Sequence, residues 1–352
     1  MATIKEIATL ARVSTATVSH VLNRTAFVSG ELRARVMQVV RELNYQPDIV
    51  ARSLRTRRSQ TIGMVVPNIA NPFFPIEVRG VEDVLRHDGY HLIVGNSDND
   101  LHREEEYYRT FCARRVDGLV LAITPRKAPE YLRRHDGQET PVVLIDRAYD
   151  EVSADAVTVD NLDASYRAVC HLIERGHRRI GIVTGPPRML MAGRRLCGYK
   201  RALEQQGIPV LPELIREGRY DALSGYQEAK VLLNLVPRPS ALFACSGVTA
   251  MGCLRALFES GLKCPGDVAL VSFDDLEWFD LGFPRITAVA NPAYQLGSQA
   301  AELLVKRISG ELSGPAVRKI LKAELKVRDS TAARVGASAG GSSNGSRKSA
   351  AA

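Results

Sequence analysis

Hydrophobic and polar positions follow two different rhythms along this chain. From Thr3 to about Tyr45 the apolar residues recur at helical spacing, with no strand-like run. Ile4, Ile7, Ala8 and Ala11 fall on one face, and Thr3 with Glu6 forms a Thr-x-x-Glu capping box that starts the helix. Ser14 can cap a second helix, TATVSHVLN, in which Val18, Val21 and Leu22 point inward. Thr15, Ala16, Thr17, Ser19 and His20 are then left outward. A third helix within SGELRARVMQVVRELNY packs across the first two through Leu32, Val36, Val39, Val40 and Leu43. Small and hydrogen-bonding residues near the start of the second helix suit entry into a DNA major groove. The pattern alone is also compatible with a generic three-helix bundle.

From residue 61 to about 328 the rhythm changes to short apolar runs separated by amphipathic stretches. The runs are TIGMVVP, HLIVGN, GLVLAI, VVLID, RIGIVTG, ALFACS and VALVSFDD. Unbroken apolar runs fit strands buried on both faces of a parallel sheet, and helices such as DASYRAVCHLIERGH lie between them, several ending at a glycine suited to a C-cap. The class is therefore α/β. TIGMVVPN is echoed by RIGIVTGP 118 positions later, which predicts two similar doubly wound lobes with a ligand crevice at the carboxyl ends of their strands. The predicted divisions are 1–46, 47–60, 61–329, and a Ser, Gly and Ala tail over 330–352 that cannot bury a core.

Composition adds class and partner. With 352 residues, 45% of them hydrophobic, the chain can build large cores. No run approaches the roughly 20 apolar residues of a membrane span, and the amino terminus lacks an apolar leader, so a soluble, cytoplasmic protein with no membrane partner is expected. The six cysteines are scattered singly, without metal-ligand spacing, and read as buried, reduced thiols. The net charge is +8, and ten bases against four acids in residues 1–60 place +6 of local excess in the helical segment, which suggests a polyanion partner.

The stretch TIKEIATLARVSTATVSHVLN, followed by VSGELRARVMQVVRELNYQPDIVARSLRTRRSQTIGMVVP, resembles the signature of the lactose-repressor family of bacterial transcription regulators. The similarity continues to about Arg328 through VDGLV, VVLIDR, HLIERGHRRIGIVTGP, GRRLCGYKRAL and DVALVSFDD. It implies a helix-turn-helix headpiece joined to a bilobal periplasmic-binding-protein-like domain of two doubly wound parallel sheets. It further implies a homodimeric repressor of a pseudo-palindromic operator with a central CG step. Carried over by position, Thr15, Ala16, Thr17 and His20 would face base edges or phosphates, with Asn23 and Arg24 completing the set. Ala16 stands where many relatives have a longer polar side chain, so the half-site cannot be transferred.

Between headpiece and body, Pro47 ends the third helix's run and Asp48 can cap IVARSLRT, with Val50, Ala51 and Leu54 sharing a face. The resemblance makes Leu54 a minor-groove wedge and gives Arg52, Arg55, Arg57 and Arg58 to phosphates. The plainer alternative is an exposed basic linker.

For the crevice, the candidates are Asn71, Phe73 and Phe74 in the loop after the first strand, Thr124, Asp146, Arg147 and Asp160 at later strand ends or crossings, Arg195 opening a helix, Tyr220 after a strand, Ser246, and Asp274 at the end of the last run. Aromatic rings at Phe73 and Phe74 can stack on a nucleobase or sugar, although Phe74 could equally be lobe core. Arg195 and Asp274 suit bidentate gripping of a small-molecule effector, though Asp274 could instead cap a turn and Arg195 could lie on a helix surface. By resemblance, Ser246 and Gly247 replace an amide and a carboxylate, and Met189 and Met191 replace polar contacts of the purine-responsive branch. Among a sugar, a sugar acid and a sugar phosphate, an anionic effector is expected from this loss of an acid.

No GxGxxG or GxxxxGK[ST] motif occurs and no GxSxG nucleophile elbow follows a strand-like run, the GASAG at 336–340 lying in the Ser, Gly and Ala tail, so neither a cofactor nor an enzyme is expected. A periplasmic solute-binding protein, or a regulator that has lost its effector response, remains as an alternative. No long heptad stretch supports a tetramer.

Overall fold

The computed structural model describes residues 3–23, 26–45, 58–123, 125, 127–135, 140–282 and 284–332. The chain divides into two compact units, with the boundary between Ser59 and Gln60.

The first unit contains α1 (Ile4–Leu10), α2 (Thr15–Asn23) and α3 (Gly30–Glu42). Its helices start where short side chains satisfy the free N–H groups of a first turn. Thr3 and Glu6 close the capping box reciprocally, at 2.7 Å and 3.3 Å. The Thr17 N–H donates to Ser14 Oγ at 3.0 Å and the Leu32 N–H to Ser29 Oγ at 3.4 Å. Between α1 and α2 the chain turns through Arg12 in the left-handed region, φ 51°. Ile7, Ala8, Ala11, Val18, Val21, Val36 and Val39 form the core, with Leu22, Val40 and Leu43 packed against it.

The second unit is two sheets, each interleaved with helices. One sheet has the order β11-β5-β4-β3-β1-β2 and is parallel throughout. Its strands are β1 (Thr61–Val66), β2 (His91–Asn96), β3 (Gly118–Leu121), β4 (Val142–Ile145), β5 (Asp155–Val159) and β11 (Arg318–Leu321). The other has the order β12-β10-β9-β8-β6-β7, parallel except for the edge pair β10 and β12. It contains β6 (Ile180–Thr184), β7 (Ile215–Glu217), β8 (Ala241–Ala244), β9 (Ala269–Phe273), β10 (Thr287–Ala290) and β12 (Glu324–Lys326).

The helices of the first lobe are α4 (Phe73–His87), α5 (Leu101–Ala113), α6 (Glu130–Arg133) and α11 (Ala293–Ser309). Those of the second are α7 (Asn161–Glu174), α8 (Leu190–Gln205), α9 (Ala222–Leu233) and α10 (Gly247–Glu259). The chain therefore passes between lobes after β5, after β10, and between β11 and β12. Gly89, Gly176, Gly207, Gly261 and Gly310 follow helices with positive φ, the left-handed exit that only glycine makes without strain.

All seven apolar runs are strands. β5, β7, β10, β11 and β12 lack that signature. β11 and β12 are sheet edges whose residues alternate between half-buried and exposed, so no continuous apolar run is required of them. β5 begins with Asp155, whose carboxylate receives Arg307 at 2.7 Å and the Val317 N–H at 2.6 Å.

The tail predicted from Ser330 starts too early. Ser330 and Thr331 are fully buried: Ser330 Oγ donates to the Leu270 carbonyl at 2.6 Å, and Thr331 Oγ1 pairs with His171 Nε2 at 2.8 Å. Residues 333–352 lie outside the described residues. Cys197 is exposed rather than buried, while Cys245 and Cys253 are buried. Among the described residues, no helix is long and apolar enough to cross a membrane, and no His, Cys, Asp or Glu cluster could hold a metal ion.

Candidate functional site

α2 presents Thr15 and Ala16 to solvent, with Thr17, Ser19 and His20 half-buried, while Val18 and Val21 anchor it to the core. Thr17 is partly committed to the fold, because its hydroxyl pairs with Ser14 Oγ at 2.9 Å. The Asn23 side chain, Arg24, and Ala51, Leu54 and Arg55 of the proposed hinge lie outside the described residues, as does Thr124 of the crevice.

In the body, one cleft collects Asn71, Phe73, Phe74, Asp146, Arg147, Arg195, Tyr220, Ser246 and Asp274, joined by Asn68, Asn99, Met189 and Met191. Asp160 is not among them. It is exposed and caps α7, accepting the Asp163 N–H at 3.0 Å, and it faces the adjacent groove beside Arg194 and Arg318.

The strand ends aim these side chains through unusual backbone. Asp146 after β4, Tyr220 after β7, Asp274 after β9 and Asn99 after β2 all adopt the left-handed region, at φ 70°, 60°, 67° and 59°. Such conformations cost on the order of 1–3 kcal/mol for a residue with a side chain, and they concentrate where function over-determines the geometry. Ser272 Oγ braces the Asp274 turn by donating to the Phe273 and Asp274 carbonyls at 2.8 Å and 3.0 Å. Gly185 makes room for Tyr220, since a Cβ there would lie 2.2 Å from the ring.

Arg195 is the best-held polar group of the cleft. Its Nε donates to Asn161 Oδ1 at 2.9 Å and its Nη1 to the Cys245 carbonyl at 2.6 Å, while the guanidinium lies 3.6 Å from the centre of the Phe273 ring. The helix-surface alternative for Arg195 is thus replaced by a buried, stacked cation. Asp274 is also buried. It accepts Asn291 Nδ2 at 3.2 Å and the Gly247 N–H at the start of α10. Burial pushes its carboxyl above the usual range, against the opposing pull of Arg195. Burial likewise raises the Tyr220 hydroxyl, again opposed by Arg195.

Ser246 caps α10, accepting the Thr249 N–H at 3.2 Å. A Cβ on Gly247 would come within 2.6 Å of the Leu276 side chain, so Leu276 fills the space an acidic residue there would need. The Ser246–Gly247 departure is therefore accommodated by the packing around it.

Several buried polar atoms around the cleft have no hydrogen-bond partner: both Glu77 carboxylate oxygens, Asp146 Oδ1, Arg147 Nε and Nη1, the Tyr220 hydroxyl and Asn291 Oδ1. Leaving a buried polar atom unpaired costs about 1–3 kcal/mol, so a ligand that pairs them recovers that free energy on binding. Arg147 and Asp146, both 5% exposed, approach only to 3.9 Å.

Sequence reasoning missed Glu77, Asn291 and Asn161. Glu77 sits in an amphipathic helix where a glutamate ordinarily faces water. Asn291 and Asn161 flank the lobe crossings, which cannot be located before the topology is known.

Residues 3–48 match the family described as bacterial regulatory proteins, lacI family, and residues 169–331 match the periplasmic binding protein-like domain. The ribose operon repressor of Haemophilus influenzae is 38% identical over 308 residues, covering 88% of this chain and 92% of its own length. The transcriptional regulator CelR, solved as a cellobiose complex, has a TM-score of 0.71 at 31% identity over 94% of this chain and 100% of that one. The lac repressor dimer bound to operator and the anti-inducer ONPF has a TM-score of 0.84 at 26% identity, over 94% of this chain and 99% of that one. An exposed helix-turn-helix face, a buried polar cleft between two matched lobes and near full-length similarity converge: the chain belongs to the lacI family of bacterial regulatory proteins and is a DNA-binding transcriptional repressor.

Proposed function

We propose that this repressor's affinity for its operator is set by a small-molecule effector, a sugar or sugar derivative, held in the cleft between the lobes. The observation that carries the reading is the set of buried, unpaired polar atoms on Glu77, Asp146, Arg147, Tyr220 and Asn291 beside the Phe73 and Phe74 rings, which meet edge to face. Donors and acceptors around an apolar wall suit a ring with hydroxyls on its edge and C–H groups on its face. Relatives named for a ribose operon and solved with cellobiose support the same class.

Operator reading falls to Thr15, Ala16, Thr17 and His20 on α2, in a homodimer on a pseudo-palindromic site. Met251 and Phe258 stand seven residues apart on α10 and are exposed, as are Leu223, Trp278 and Leu281 of the same lobe, which supplies an apolar face for a second copy. Effector control requires only that the cleft bind more tightly in one arrangement of the lobes than in another. The coupling free energy equals that difference.

Gel shift on a palindromic operator, with and without a panel of sugars, tests the reading. A sugar that changes operator affinity at least about fivefold, the lower end of usual coupling, supports it. Operator binding indifferent to every sugar that binds the body would sink it.

A further inference from the structure

Glu77 lies one helical turn after Phe73 and Phe74, on the same face of α4, and both rings line the cleft. It is completely buried, yet neither carboxylate oxygen has a hydrogen-bond partner. Its helix cannot yield there: a Cβ on Gly297 of α11 would meet the Glu77 carbonyl oxygen at 2.1 Å, so the two backbones are already in close contact. The charges that act on Glu77 are Asp146, Arg147 and Asp274, the ionisable groups of the cleft drawn from both lobes.

We propose that Glu77 is a specificity-determining residue at the base of the cleft, which selects a neutral, hydroxyl-rich effector over the carboxylated or phosphorylated form of the same skeleton. This rests on the effector reading above and deepens it. It also reverses the preference for an anion drawn from the sequence, because Asp146 and Asp274 stand against Arg147 and Arg195 in the same cleft.

The cleft holds two guanidinium groups, Arg147 and Arg195, against the carboxylates of Asp146 and Asp274. Arg195 is already engaged with Asn161, the Cys245 carbonyl and Phe273. An anionic ligand would add buried negative charge with no surplus cation to meet it, and unpaired buried charge is strongly disfavoured. Burial, reinforced by Asp146, opposed by Arg147 and reinforced again by Asp274, pushes the Glu77 carboxyl well above the usual range. When it carries a proton, it can donate a hydrogen bond as well as accept one.

The unpaired atoms point the same way. Asp146 Oδ1 and Asn291 Oδ1 are acceptors, the Glu77 carboxyl accepts and, when protonated, also donates, and Arg147 Nε and Nη1 are donors, with the Tyr220 hydroxyl able to act as either. Sugar hydroxyls supply both roles, whereas a carboxylate or phosphate oxygen supplies only acceptors.

The test is isothermal titration of the full chain with ribose, glucose and cellobiose, and with ribose 5-phosphate, glucose 6-phosphate and gluconate. A neutral member should bind at least about tenfold tighter than its anionic counterpart, as for one strong hydrogen bond or charge mismatch. Glu77→Leu should weaken that ligand at least about tenfold while raising the melting temperature of the free protein, since it removes an unpaired buried acid. Glu77→Gln, which keeps a donor and an acceptor, should retain most of the affinity. A merely structural Glu77 would give the opposite split, a lower melting temperature with affinity unchanged, and would overturn the proposal. Binding confined to the anionic set overturns this proposal alone. No binding by either set overturns it together with the effector reading.

Discussion

The recognition helix and the cleft both work through polar side chains, but they are assembled in opposite ways. α2 takes its outward residues from one continuous nine-residue segment, and two of its positions, Thr15 and Ala16, are exposed. The cleft gathers residues between Asn68 and Asp274 from both lobes, buries its charged groups, and leaves polar atoms unpaired. A surface that reads DNA needs only a firm helix beneath it. A pocket that encloses a small molecule needs several strand ends held in strained backbone, and its unpaired groups are the source of its affinity.

The sharpest way to break this contrast is Arg195→Leu. It strips the partner charge from Asp274 and the hydrogen bonds from Asn161 and the Cys245 carbonyl. Losing one side of such a buried ionic network costs about 3–5 kcal/mol, so urea unfolding should show a large stability loss together with loss of sugar binding. An unchanged unfolding midpoint would mean that Arg195 is not the organising cation of the cleft.

On the other side of the comparison, Ile7→Ala removes a fully buried side chain from the small headpiece core. A cost of about 2–5 kcal/mol is enough to unfold so small a bundle. Circular dichroism should lose headpiece helix, and operator binding should disappear in the same variant.

Gly185→Ala acts more gently, by pressing a methyl group onto the Tyr220 ring. Overpacking of about 1–3 kcal/mol should appear chiefly as weaker ligand binding in titration. Ser14→Ala deletes the α2 cap at a cost of about 1 kcal/mol, and should lower operator affinity by destabilising the reading helix without altering which bases it prefers.

The subtlest test is in pH. Because Glu77 titrates above its ordinary value of 4.5 in the folded protein, the native state holds a proton that the unfolded chain releases. Its contribution to stability is present below that ordinary value and is lost as pH rises through the folded value. Glu77→Gln lacks the titration, so its stability relative to the parent chain should grow as pH rises through this window. A difference curve flat in pH would place Glu77 in contact with water.

The strands that carry the cleft were legible because a central parallel strand must be apolar on both faces, as in VVLI of β4 and ALFA of β8. The edge strands β11 and β12 were not, because one-sided burial leaves no continuous run. Asp274 ends a strand-like run, Tyr220 follows a strand and Arg195 opens a helix after GPPRMLMAG, and the structure brings the three into one cleft. Asp160 was misplaced by the same rule, since its carboxylate caps α7 and faces a neighbouring groove.

The sequence by itself determined the helices of the headpiece, the α/β alternation and the pairing of two similar lobes, because each depends on local periodicity and on caps within a few residues. Only the tertiary structure decided that Ser330 and Thr331 are core, that Leu276 occupies the space beside Gly247, and that Glu77 is buried without a partner within reach of the charges of Asp146, Arg147 and Asp274. Whether a polar side chain meets water, a partner or nothing depends on segments far away in the chain. For Glu77 those segments are the ends of β4 and β9, which bring Asp146, Arg147 and Asp274 to it from positions about 70 and 200 residues later in the sequence.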